Sequence, residues 1–296
     1  MGRGSETAVA QDTKSLLYGS VPSRAKPDLR REVRKGKDEL VEYYDHLGLL
    51  CKVTVPENYH LWRMGLEIDK PATVYIKNGK PHRENGPAVE YEDGGYEYWV
   101  NGLKHRVEGP AIEYIYGLGH KEYWINGQLH RVGGPAVEAA DGRHDWYDHG
   151  VFHRDDGPAR EWWDGGRDWY QHGELHRDDG PAIERADDSW EWWDHGERHR
   201  VDGPAIKTSN GDLEWHQKDK LHRIGGPAIE HADGSVDWFQ EGLLHRDDGP
   251  ASELIDGTWS WFQHGNLHRD DGPARKNKDG TLEWWFHGML HPSRSL

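Results

Sequence analysis

Asp233-Gly234-Ser235-Val236-Asp237-Trp238-Phe239-Gln240-Glu241-Gly242-Leu243-Leu244-His245-Arg246 reads as a hairpin that follows a turn. Asp233-Gly234 is a turn signal, and Ser235–Gln240 is rich in strand-favouring residues. Glu241-Gly242 stands where sister stretches have Asn78-Gly79, Asn101-Gly102 or His149-Gly150. Asn-Gly between two β-favouring runs is a strong hairpin signal, because both turn positions need positive φ. Leu243–Arg246 is then the return strand.

The same unit recurs along the chain. Its anchor is a histidine at His82, His105, His130, His153, His176, His199, His222, His245, His268 and His291. Every interval is 23 residues except one of 25, with the insertion near Tyr114–Gly119. Arg follows the histidine in the first nine copies, and Gly-Pro-Ala follows a few residues later, from Gly86-Pro87-Ala88 to Gly272-Pro273-Ala274. Chance does not hold period and residue identity together over ten units. The expected fold is an all-β repeat array: an elongated single-layer twisted antiparallel sheet, or a flattened solenoid of hairpin units, behind a short N-terminal helical or extended segment. Two strands per unit at about 4.8 Å give roughly 10 Å of advance per unit.

A two-residue loop also predicts a register. It sets Phe239 against Leu244, Phe262 against Leu267, Trp285 against Leu290 and Tyr170 against Leu175. Each anchor histidine then faces a Tyr or Trp. One rung further, the register opposes Glu97 to Arg106, Asp145 to Arg154, Asp168 to Arg177 and Asp237 to Arg246, pairs of opposite charge. At the Asp-Gly link, a two-residue loop would oppose Glu138 to Asp145 and Glu230 to Asp237. That unfavourable contact implies either another register or a cation or arginine placed there.

Composition narrows the function. Charged residues make up 30% of the chain, yet sixteen Trp and thirteen Tyr supply an aromatic rather than aliphatic core. The formal net charge is −16, and about −17 of it lies in residues 51–296. An acidic body is a poor ligand for nucleic acid or an anionic membrane. A single cysteine, Cys51, excludes an intrachain disulfide framework. The first 30 residues hold no apolar run of the signal-peptide kind, which implies an intracellular protein or a virion component.

Trp261-Phe262-Gln263-His264-Gly265-Asn266-Leu267-His268 resembles a MORN repeat, whose units are also about 23 residues long. The resemblance covers about residues 72–291. Arg269 replaces the usual Gly after the histidine, and Gly-Pro-Ala replaces a simple Gly-x-Gly. This is a variant type associated with bacterial and viral proteins. It implies a twisted antiparallel sheet used for scaffolding within a larger assembly. Gly142 through Trp146-Tyr147 to Gly150 is also similar to choline- and glucan-binding repeats, which implies aromatic cages for wall or carbohydrate ligands.

Three regions follow: a flexible arm over 1–23, a basic helix with a capping segment over 24–71, and the ten-unit array over 72–296. Arg24–Lys37 carries seven basic residues against two acidic ones. Leu40, Tyr44 and Leu47 fall at helical spacing, Cys51–Val55 reads as a strand, and Trp62 and Leu66 would cap the array. The basic segment 24–50 is the expected protein-docking element.

The candidate binding residues are the aromatic column Trp146, Trp169, Trp192, Trp215, Trp238, Trp261 and Trp284. His153, Arg154, His176, Arg177, His245, Arg246, His268 and Arg269 are expected to be structural anchors. The His-Arg-Asp-Asp stretches invite a metal, but equivalent histidines about 10 Å apart cannot share one. Within one unit, His149 with His153 and Asp155 is the nearest candidate set, and no metal or cofactor is expected. Catalysis has no singular residues to work with, since every histidine here is one of a row. The expected function is a non-enzymatic interaction scaffold, with carbohydrate binding as the alternative.

Overall fold

The computed structural model describes residues 31–35, 40–44, 49–56, 59–61, 64, 66–115 and 119–291. Apart from a 3-10 position at Met64, every regular element among them is a strand. A 23-stranded antiparallel sheet runs the length of the array. Each unit adds two short strands to it, such as Ile229–Glu230 and Val236–Asp237, paired in meander order with the next unit's Ser252–Glu253. The chain then leaves the sheet for a separate two-stranded ribbon, Phe239–Gln240 with Leu243–Leu244. At about 4.8 Å per strand this is an elongated array roughly 100 Å long.

The ribbon register is the predicted one. Phe239 opposes Leu244, Phe262 opposes Leu267, Tyr170 opposes Leu175, and Trp285 opposes Leu290. The anchor histidine closes it, with His245 N–H donating to the Trp238 carbonyl at 2.9 Å. The first turn residue takes positive φ, as at Asn101 (53°) and His149 (47°), so a left-handed two-residue turn sets the register.

The next rung does not form. Asp237 pairs within the main sheet with Ile229 and Ser252, and the Arg246 N–H donates to the Phe262 carbonyl of the following unit. The expected Asp237–Arg246, Asp168–Arg177, Asp145–Arg154 and Glu97–Arg106 pairs are therefore replaced by other contacts. The return strand stops pairing at the histidine, because its next donor is already committed to the neighbouring unit.

The acid-on-acid contact is also resolved. Val137 opposes Asp145 and Glu138 opposes His144, while Glu230 opposes Val236. Ala139 N–H donates to the Arg143 carbonyl and Gly142 N–H to the Ala139 carbonyl, with Gly142 at φ +90°. This is a three-residue loop closed by a left-handed glycine, one residue longer than assumed. The insertion near Tyr114 lengthens one such hairpin to three rungs, Ile112–Tyr114 on His120–Glu122.

The alanine of Gly-Pro-Ala is fully buried in all nine units from Ala88 to Ala274. It sits where the sheet hands over to the ribbon. Ala251, for example, accepts from Trp238 N–H at 2.7 Å and donates to the Ser260 carbonyl at 2.8 Å.

At the N-terminal end, the described residues form strands where the spacing of Leu40 and Tyr44 suggests a helix. Leu40–Tyr44 pairs with Arg31–Lys35 on one side and with Leu50–Val55 on the other. Without Leu40–Tyr44, Leu50–Val55 would be a sheet edge with unpaired backbone groups, and Leu-Val-Glu-Tyr-Tyr suits a strand as well as a helix. Leu50–Val55 in turn pairs with Ala72–Lys77, so the sheet continues without a break into the array. Leu66 joins an aliphatic cluster with Val53, Val55, Ile68, Val74 and Val89. Residues 1–30, Leu47 and Trp62 lie outside the described residues.

Candidate binding grooves

The arginine that follows each anchor histidine has one destination. In all nine units its guanidinium lies over the aromatic ring of the same ribbon, at 3.8 Å (Arg223 on Trp215) to 4.1 Å (Arg154 on Trp146, Arg269 on Trp261). The same group then bonds forward. Arg246 donates to the Pro250 carbonyl at 3.2 Å, to Glu253 at 2.7 Å and to Asp248 at 3.0 Å. Arg177 does likewise with Pro181, Glu184 and Asp179. Arg154 reaches Glu161, and Arg269 reaches Asp271. Its acid therefore lies two or seven residues after it, not on the opposing strand. Each half-buried Trp has one face covered by its own arginine. Trp284 has no equivalent arginine, since Pro292 follows its histidine.

The anchor histidine joins units. Its Nδ1 accepts the N–H of the next unit's first turn residue, as in Asn101 to His82 at 2.9 Å, His195 to His176 at 3.3 Å and His264 to His245 at 3.3 Å. Where the unit carries Asp-Asp, Nε2 meets the first aspartate: Asp155 at 3.1 Å from His153, Asp178 at 3.2 Å from His176, Asp247 at 3.2 Å from His245 and Asp270 at 3.4 Å from His268. The histidine ring packs on the neighbouring turn residue rather than on the Trp opposite, as in His268 on His287 at 4.4 Å.

Between successive His-Arg-Asp-Asp loops lie open grooves. One of about 560 Å³ has Arg154–Pro158 and His176–Asp179 as its walls and Trp169, Tyr170 and Gln171 as its floor. An equivalent groove lies over Trp261 and Phe262, and another over Trp146 and Tyr147 has Arg131–Pro135, without aspartates, as one wall. The second aspartate is bound to its own arginine, whose hydrogen bond holds the carboxyls of Asp156, Asp179 and Asp271 below the usual carboxylate range. The first aspartate lines the groove with its carboxylate largely exposed beside its histidine.

One pattern was legible in the sequence but is hidden when the column is averaged. Asp155, Asp178, Asp247 and Asp270 occupy the loop tip in four units, while Val107, Val132, Val201 and Ile224 occupy it in four others. These alternate two by two, and the apolar tips are 78–88% exposed.

The opposite side of the sheet carries the acid column. Asp168 accepts from Trp162 and Arg185, Glu97 from Tyr91, Tyr114 and Trp99, and Asp237 meets His231 at 3.0 Å. The Asp237 hydrogen bond holds the His231 imidazolium above the usual histidine range against desolvation, and Asp212 at 3.5 Å adds to it. A raised folded value stabilises the array below the unfolded pKa, and that stability is lost as pH rises through the folded one. The stability gap between the native chain and His231→Gln, read by urea denaturation, should be wider at pH 5.5 than at pH 8.5.

No protein-family model matches the chain, and no curated protein matches it.

Proposed function

We propose that the chain is a non-enzymatic, MORN-like binding scaffold whose groove ladder receives an extended, basic protein segment, as part of a larger assembly. The observation that carries this reading is the groove floored by Trp and rimmed on both sides by exposed aspartate, found between Arg154 and Asp179 and again between Arg246 and Asp271. Successive grooves advance by about 10 Å, and an extended chain rises about 3.3 Å per residue. A ligand with a cationic residue at every third position therefore keeps register with adjacent aspartate-bearing units, Asp155 with Asp178 and Asp247 with Asp270. The acidic charge of residues 51–296 favours such a partner. The anchor histidines are engaged in joining units, which supports a structural rather than catalytic use. The arginine that covers one face of each Trp leaves less of the ring for stacking on a sugar.

The test is fluorescence titration of the full chain with an extended peptide carrying Arg at every third position, and with a scrambled peptide of the same composition. The periodic peptide should bind more tightly, and more weakly as salt rises. Changing Asp155, Asp178, Asp247 and Asp270 to Asn keeps an acceptor for each histidine and should weaken binding about tenfold or more. Equal binding by that variant, or a response to saccharides with both peptides inert, would overturn the reading.

A further inference from the structure

Ring stacking between units divides into two geometries. His153 lies on His172 at 14° between planes, and His245 on His264 at 15°. The residues before those turn histidines are Gln171 and Gln263. In two other units the residue is an aspartate, in Asp148-His149 and Asp194-His195, and the rings tilt to 33° (His130 with His149) and 38° (His176 with His195). In both, the aspartate carboxylate stands against both imidazoles. Asp148 Oδ1 is 3.0 Å from His130 Nδ1 and 2.6 Å from His149 Nδ1. Asp194 Oδ1 is 3.1 Å from His176 Nδ1 and 2.6 Å from His195 Nδ1.

We propose that His130-Asp148-His149 and His176-Asp194-His195 are two equivalent sites for a divalent transition-metal ion of the zinc, nickel and copper class. Within each set the three ligand atoms lie within 4.8 Å of one another. Two imidazoles and one carboxylate are the donor set such ions favour over Mg²⁺ or Ca²⁺, which require more oxygens. Equivalent histidines are too far apart to share an ion, but each site joins non-equivalent ones: the anchor of one unit and the turn residue of the next. Asp148 and Asp194 are half-exposed, and His149 and His195 more so, leaving coordination positions open to solvent or a partner's side chain. The anchor's Nδ1 would exchange a long hydrogen bond from the turn N–H, 3.3 Å in both sites, for the metal.

The two sites differ in one respect. His176 has its other nitrogen, Nε2, 3.2 Å from the Asp178 carboxylate, whereas the loop after His130 carries Val132 in the aspartate's place. A carboxylate behind a ligating imidazole fixes the ring and raises its basicity, and loss of such a partner weakens metal binding about 10–100-fold. The His176 site should therefore fill first.

The experiment is calorimetric titration of the full chain with Zn²⁺ alone, with Mg²⁺ as the control. Two equivalents of Zn²⁺ should bind, the first at least about tenfold tighter. Asp194→Gln copies the native Gln171 and Gln263 units, and His195→Asn copies the native Asn101 and Asn126 turns, so either preserves the hairpin. Each should abolish the tighter equivalent, and Asp148→Gln the weaker one. A chain that takes up no Zn²⁺ would overturn the proposal. So would a double Asp148→Gln/Asp194→Gln chain, folded by circular dichroism, that still binds two equivalents with unchanged affinity.

Discussion

Replacing Asp145 by Ala should destabilise the array by about 3–5 kcal/mol, the range for removing one partner of a buried ion pair. The Asp145 side chain is 3% exposed and lies between two arginines, with Arg160 Nε at 2.8 Å and Arg143 Nε at 3.1 Å. Only Arg160 is aligned as a hydrogen bond, so it carries most of the compensation. Without the carboxylate, two partly buried guanidinium groups face each other with no shared acceptor. Arg160 is the harder to relocate, since it also lies against the Phe152 ring at 4.5 Å. Sister units place Ile183, Ile206 and Ile229 at the position of Arg160. Arg160→Ile should thus partly rescue Asp145→Ala, because the remaining Arg143 can turn toward solvent. Urea denaturation gives the magnitude. Amide exchange should show the loss concentrated in the units beside Asp145, as nearest-neighbour stability in a linear array requires. A single mutant within 1 kcal/mol of the parent would remove the central role given to this carboxylate.

The hairpin ribbons were legible from sequence because their evidence is local. Asn78-Gly79 or His149-Gly150 fixes a two-residue turn, and Phe239 on Leu244 follows by counting. Legibility ended one rung beyond the histidine. Arg246 has an acid nine residues before it, Asp237, and another seven residues after it, Glu253. Sequence separation cannot choose between them; the exit of the strand toward the next unit does. The Asp-Gly links failed for a related reason, since the dipeptide marks a turn but not its length. Leu40–Tyr44 was misread because its spacing suits a helix, while the neighbouring sheet edge decides for a strand. The grooves were half visible: the Trp and Asp columns could be read off, but not the arginine that covers each ring. The tilted histidine pairs were not visible, because they join non-equivalent positions of adjacent units.

Gly249→Ala should cost about 2–3 kcal/mol, acting almost wholly through Arg246. A Cβ on Gly249 would stand 2.6 Å from the Arg246 Cζ, too close for both to remain. The φ of Gly249 is not in the left-handed region, so Ala brings no backbone strain of its own. What must move is the guanidinium, which would leave the Trp238 ring at 4.0 Å and its bonds to Pro250, Asp248 and Glu253. In this unit the glycine of Gly-Pro-Ala is thereby explained as clearance for the arginine three residues before it, whereas Gly109 is required by its positive φ of +97°. Gly180, Gly203 and Gly226 show the same crowding at 2.7, 2.9 and 2.8 Å, while Gly272 is looser at 3.1 Å and should tolerate Ala better. Arg246→Lys should itself be destabilising, since an ammonium cannot stack and fork as a guanidinium does. Once Lys is present, the clearance at Gly249 no longer matters. The double variant Gly249→Ala/Arg246→Lys should therefore unfold close to Arg246→Lys alone. Thermal unfolding of the four proteins decides this. Losses that add within about 0.5 kcal/mol would mean that the glycine serves some purpose other than making room for the arginine.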